Sequence, residues 1–178
     1  YYKPRVDLEV LQQYHEGIIC ASACLAGEVA RALERDDYAS AKEAALRHEK
    51  IFGKGNFFLE MQDHGIPEQK LVNTELLKLS KETGIELVVT NDVHYTYKED
   101  VDSHDILLCL QTGKKLADED RMRYEGGQYY VKSPEEMERL FPYATEALEN
   151  THKIAQRCHV EIEFGVTKLP KFGVPEGY

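Results

Sequence analysis

Apolar positions along the chain alternate between two spacings, and the switches divide it into a series of elements. Val6, Val10, Leu11 and Tyr14 recur at helical spacing after Pro4, which predicts a helix over residues 6–15 that Gly17 ends. Ile18-Ile19-Cys20-Ala21 follows as a short apolar run and reads as a buried strand. Beyond Ser22-Ala23-Cys24-Leu25-Ala26-Gly27, the residues Val29, Ala32 and Leu33 mark one face of a helix. Residues 38–52 predict a second helix, whose Ala41, Ala44 and Ala45 suit close packing, and residues 56–61 a second strand. Residues 69–83 are amphipathic, with Leu71, Val72, Leu76, Leu77 and Leu79 apolar, and Gly84 stops the helix. Leu87-Val88-Val89 is then a third strand. Unbroken apolar runs belong to strands covered on both faces, and strand–helix alternation is the signature of a parallel α/β arrangement.

After Tyr95 the pattern becomes more helical. Residues 98–112 predict a helix with Val101, Ile106, Leu107 and Leu110 apolar, on which His104 and Asp105 read as surface or partly packed groups. Residues 113–127 carry mixed charges and read as a solvated connector, in which Arg121 and Arg123 could meet a phosphate or an acidic partner. Residues 128–131 predict a short strand. Ser133 and Pro134 make a good helix start, for a helix reaching about Phe141. A last helix over 144–158 and a strand over 160–164, alternating apolar and acidic, lead to an extended tail with Pro170, Pro175 and Gly177. The chain therefore divides into strands and helices of an α/β unit (1–97), a helical extension (98–165) and a linker (166–178).

The candidate chemistry gathers where the strands stop. Polar clusters follow all of the first three: Ser22 to Cys24, Gln62 to His64, and Asn91 to His94. In a parallel sheet or barrel those ends share one rim, where ligands and metals are held. If the third strand stays extended, Asp92 and His94 at i and i+2 point to one side, roughly 6–7 Å apart, and can share a metal ion or flank two. The plainer alternative is a polar turn whose aspartate caps the next helix. Cys24 falls between a strand's end and a helix's start, where backbone N–H groups and the helix dipole would favour a thiolate. It can equally be a small packing residue. Asp63 and His64 are adjacent, so they face opposite ways on a strand and read as loop-shaping, with Gly65 and Pro67.

Composition narrows the partners. A net charge of -10 over 178 residues argues against a free-standing nucleic-acid binder, while allowing a catalytic module that receives a DNA end from a basic neighbour. The four cysteines include no CxxC pair, which fits a reduced, cytoplasmic setting. No signal peptide or long apolar run appears. A start at Tyr1 rather than Met is expected of a piece of a longer polypeptide.

Several stretches carry a family resemblance: Tyr2-Lys3-Pro4-Arg5-Val6-Asp7, Ser22-Ala23-Cys24-Leu25-Ala26-Gly27, Leu59-Glu60-Met61-Gln62-Asp63-His64-Gly65-Ile66-Pro67-Glu68-Gln69 and Thr90-Asn91-Asp92-Val93-His94-Tyr95. In that order, and over essentially the whole chain, they resemble the bacterial replicative DNA polymerase III alpha-subunit family. The resemblance lies in the later part of that family's PHP (polymerase-and-histidinol-phosphatase) domain. Leu169-Pro170-Lys171-Phe172 resembles the exit toward the polymerase palm.

The resemblance implies an α/β fold that is part of a distorted (βα)7 barrel, with metals at the strand ends. It carries a ligand role onto Cys24, Asp92 and His94, and none onto Asp63 or His64. The family's His-x-His pair and its further His and Glu ligands would precede Tyr1, so this piece alone is expected to hold zinc or manganese weakly or not at all and to be inactive. In the intact domain the implied activity is metal-dependent 3′→5′ proofreading within DNA replication. The alternative is a non-catalytic scaffold that stabilises the polymerase or docks a proofreading subunit. DNA and other replicase subunits are the implied partners. A truncated barrel with an open sheet edge would also favour a dimer.

Overall fold

A computed structural model describes residues 2–169 and Gly173. Helix α1 (Leu8–Tyr14) opens on Asp7, whose carboxylate accepts the Val10 N–H at 2.9 Å. It starts later than the periodicity predicts, because Asp7 caps it and leaves Val6 outside, 65% exposed. Strand β1 (Cys20–Ala21), helix α2 (Glu28–Glu34), helix α3 (Tyr38–Phe52) and strand β2 (Phe57–Met61) follow. Helix α4 (Pro67–Thr83) has proline in its first turn and ends at Gly84, which takes the left-handed conformation (φ 77) that closes helices. Strand β3 (Leu87–Val89) completes a three-stranded sheet in the order β1-β2-β3, parallel throughout. Alternating elements have thus given the mixed α/β fold with a parallel sheet that their spacing predicts.

The core lies between this sheet and the helices on one face. Phe57, Leu59 and Met61 of β2 meet Val29 and Leu33 of α2 and Val72, Leu76 and Leu79 of α4. Ala41, Ala44 and Ala45 are almost wholly buried, and their small side chains let α3 lie close to its neighbours. The other sheet face, carrying Ala21, Phe58 and Val88, borders a cleft of about 510 Å³ with Ile154 and Val160 across it.

The edge of β3 is not left open. Leu59 N–H bonds Glu86 C=O, so strand alternation sends the next carbonyl, that of Leu87, away from β2. Helix α7 (Thr145–Arg157) lies there, and its buried Asn150 donates Nδ2 to Leu87 C=O at 2.8 Å. The expectation of a dimer through an exposed edge therefore gains nothing from β3.

The second half departs from its predicted pattern. Helix α5 (Val101–Thr112) follows a 3₁₀ turn, and helix α6 (Pro134–Leu140) opens with a reciprocal Ser133–Glu136 cap. On α5 the buried residues are Leu108 and Cys109, while Ile106, Leu107 and Leu110 are exposed. Residues 113–127 are not simply a solvated connector. Arg121 is 5% exposed at its side chain and grips Asp105 of α5 with both guanidinium arms, at 2.5 and 2.7 Å. The strand expected over 128–131 is reduced to one parallel bridge, Tyr95 to Tyr130. Residues 160–164 form no strand: Val160, Ile162 and Phe164 are exposed, and an alternating segment needs a neighbouring strand to pair with. Most of the predicted linker, 170–172 and 174–178, falls outside the described residues. Among those described, no helix is long and apolar enough to cross a membrane.

Replacing Asn150 by alanine should strand the Leu87 carbonyl at the β3 edge. We expect a loss of about 1–3 kcal/mol in urea denaturation. An unchanged midpoint would mean that the edge is closed by something else.

Candidate functional site

The rim begins at the end of β1. Ser22 N–H donates to Phe58 C=O at 2.9 Å, and Ser22 Oγ accepts the Glu60 N–H at 2.9 Å, which ties the two strand ends together. The chain then turns back on itself, with Ala23 in the left-handed region (φ 65) and Gly27 N–H bonded to Cys24 C=O at 2.8 Å. A Cβ on Gly27 would sit 2.2 Å from the Ser22 carbonyl oxygen, so only glycine fits this turn. The Cys24 residue is exposed and borders a small pocket with Glu60, Gln62, Gln69 and Asn73. Helix α2 starts at Glu28, so Cys24 stands before the helix rather than on its first turn, and the helix-dipole argument for a thiolate does not reach it.

Asp92 and His94 meet, by a different geometry from the one expected. Thr90 N–H bonds Met61 C=O at 3.0 Å, and Asp92 then takes φ 44, so the chain has left the extended conformation. Asp92 Oδ1 comes to 3.3 Å from His94 Nε2, with both side chains partly exposed. The two side chains face each other as the i, i+2 reading expects, but a left-handed turn rather than a strand joins them.

This turn is held from two sides. His64, 3% exposed, is engaged at both ring nitrogens: Gln69 Nε2 lies 3.0 Å from Nδ1, and Nε2 lies 2.8 Å from Asn91 C=O. Gln69 Oε1 accepts the His64 backbone N–H, so its amide nitrogen must donate to Nδ1, leaving the ring proton on Nε2 for Asn91. From the other side come residues 128–132. Tyr129 C=O accepts the N–H of His94 at 2.8 Å, and its ring stacks on His64 at 4.1 Å. Asn91 Nδ2 donates to Tyr130 C=O at 2.7 Å, and Lys132 Nζ donates to Asn91 Oδ1 at 3.0 Å. Asp63 shapes its loop as expected, accepting the Gly65 N–H at 2.9 Å.

Charges and burial act together here. The His94 ring lies 4.2 Å from that of Tyr124 and 5.6 Å from that of His104. Burial holds the His104 pKa below its ordinary value, and the neighbouring His94 adds to the effect. Burial raises the Tyr124 phenol, followed by the charges of Asp92 and Cys24, so two of the three candidate ligands act on one hydroxyl. Burial lowers Lys132, against the pull of Glu136 and Asp63. Asp92 and His94 form an oxygen and nitrogen pair suited to one side of a metal. Among the described residues no group of three or more His, Cys, Asp or Glu side chains is arranged to hold a metal ion. Zinc sites use three or four protein donors, so these residues alone do not complete one.

Residues 1–64 match the family of the PHP domain. The whole chain is 44% identical over 188 residues to the DNA polymerase III subunit alpha of Campylobacter jejuni and 45% identical over 178 residues to that of Treponema pallidum. It is 43% identical over 183 residues, 99% of the chain, to the same subunit of Deinococcus radiodurans. Along its whole length the chain is similar to one segment of the DNA polymerase III alpha subunit. It spans 16%, 15% and 14% of the length of these three relatives. Within this chain the PHP match takes in Cys24 and His64, while Asp92 and His94 lie beyond it, inside the full-length similarity.

Sequence reasoning missed Tyr124, Tyr129 and Lys132 as neighbours of this turn and gave Asn91 no role beyond the polar cluster, while His104, read as surface or partly packed, is half-buried. The available signal was the tyrosines Tyr124, Tyr129 and Tyr130, set around Gly126 and Gly127 beside a charged stretch that otherwise has little to bury.

Two outcomes follow for the segment. Gly27→Ala should lower stability by about 1–3 kcal/mol by overpacking the turn, and should change the rate at which Cys24 reacts with a thiol reagent; unchanged melting and reactivity would contradict the fit described. The hydrogen bond from Arg121 lowers the Asp105 pKa. That contribution is present above the ordinary carboxylate value of about 3.9 and is lost as pH falls through the lower folded value. Asp105→Asn should therefore melt below the parent at neutral pH and converge with it in strong acid. A gap that persists in acid would assign the loss to packing.

Proposed function

We propose that this chain is the strand-end portion of a PHP domain in a replicative DNA polymerase alpha subunit. The intact domain would be a distorted (βα)7 barrel that trims mispaired 3′ nucleotides by metal-dependent phosphodiester hydrolysis. The observation that carries this reading is the Asp92–His94 pair, 3.3 Å apart on the C-terminal rim of a parallel sheet and fixed by buried neighbours. Asp92 would bind through its carboxylate and His94 through a neutral ring nitrogen. Cys24 would join as a thiolate, a donor that favours zinc over manganese, with the remaining ligands coming from outside these residues. Such a metal, when bound, supplies an activated water and neutralises charge on the phosphate. Tyr124, lying against His94, would shield that side of the site from solvent. The acidic surface implies that DNA is delivered by other parts of the polymerase rather than gripped here.

A second reading makes the domain a non-catalytic platform for the polymerase or for another replicase subunit. It is favoured by the row Ile106, Leu107 and Leu110, which α5 presents to solvent. The full-length subunit separates the two. Under the first reading, Asp92→Asn reduces metal-dependent 3′ trimming by more than the roughly 10–100-fold typical of changes just outside a metal's ligands, and leaves polymerisation intact. Unchanged trimming would end the exonuclease reading. For the isolated segment, little zinc should survive dialysis, whereas tight stoichiometric zinc would show that its own donors suffice.

A further inference from the structure

We propose that Lys132 and Asn91 are positioning residues for the Asp92–His94 pair, an inference that rests on the metal-site reading above. Asn91 immediately precedes the turn residue Asp92, and none of its side-chain hydrogen bonds go to its own strand. Its amide nitrogen serves Tyr130 C=O, and its oxygen accepts from Lys132. Its backbone carbonyl takes the His64 ring proton. Three segments distant in sequence are thus joined at one residue, next to the candidate ligands.

Lys132 is placed to act through Asn91 rather than on a substrate. Its ammonium also donates to Gln128 C=O and lies 4.5 Å from the centre of the Tyr130 ring, so the half-buried side chain is directed inward. The chain it secures, residues 128–132, is the one whose Tyr129 carbonyl holds the His94 N–H. Asp92 sits at φ 44, a conformation that aspartate tolerates but that persists best when its surroundings determine it. Without the Lys132 charge, the Asn91 amide loses the contact that fixes its orientation. The turn can then relax toward ordinary backbone angles, and the carboxylate moves from its place beside His94.

The test uses the full-length subunit, with zinc as the probe and a competing chelator to set its free concentration. Lys132→Met and Asn91→Ala should each weaken zinc binding by about 10-fold or more, as loss of groups that orient ligands does. Because Lys132 acts through Asn91, the double variant should be no weaker than Asn91→Ala alone. Polymerisation should hold in both variants, which a general structural role would not allow. Unchanged zinc affinity in both singles, beside a clear loss in Asp92→Asn, would overturn the positioning role and leave the site reading standing. Additive losses would also overturn it. Undiminished zinc binding in Asp92→Asn would overturn the site reading and this inference with it. Should Lys132→Met unfold the domain and abolish polymerisation, Asn91→Ser carries the same comparison.

Discussion

The rim of this molecule depends on the hydrogen bonds by which residues 128–132 and His64 grip the turn after β3. The sheet itself brings the chain only as far as Thr90, whose N–H makes a last ladder bond to Met61. Beyond that point Asp92 turns left-handed, and nothing in strand pairing would hold His94 beside it. The grip is built from buried or half-buried groups whose polar atoms find their partners in one another. Such networks fix one arrangement because the alternative leaves a desolvated donor or acceptor without a partner.

That dependence explains why the α/β half and the helical half cannot be considered apart. The second half seals the β3 edge through Asn150 and supplies the Tyr129 and Tyr130 carbonyls and the Lys132 ammonium to the turn. It also covers His94 with Tyr124 and His104. Residues 113–127, which read in the sequence as a solvated connector, supply Tyr124 to the wall of the candidate site. The Arg121–Asp105 pair, with the arginine nearly out of solvent, fastens that wall to α5.

Local rules made much of this legible. Residues 38–52 and 87–89 have the predicted bounds, because helical periodicity with a following glycine, or an apolar run, needs no distant partner to be recognised. Cys24, Asp92 and His94 were legible as residues following strand ends. The geometry around them was not. Asp92 carries no glycine beside it to mark a left-handed turn, and the groups that stabilise it lie about forty positions along the chain. Alternation at 160–164 misled for the converse reason: it describes a segment ready to pair, and no described strand lies beside it.

Convergence of a sulfur, an oxygen and a nitrogen donor on one ion is the claim on which the functional reading stands, and cobalt reports it directly. Cobalt(II) loaded into the full-length subunit in place of the native metal should show a thiolate-to-cobalt charge-transfer band. A shared ion predicts that the band disappears in Cys24→Ser and is shifted or lost in His94→Ala. A band indifferent to Cys24→Ser, or one that Cys24→Ser removes while His94→Ala leaves it untouched, would place the thiol away from the Asp92–His94 pair and contradict the convergence.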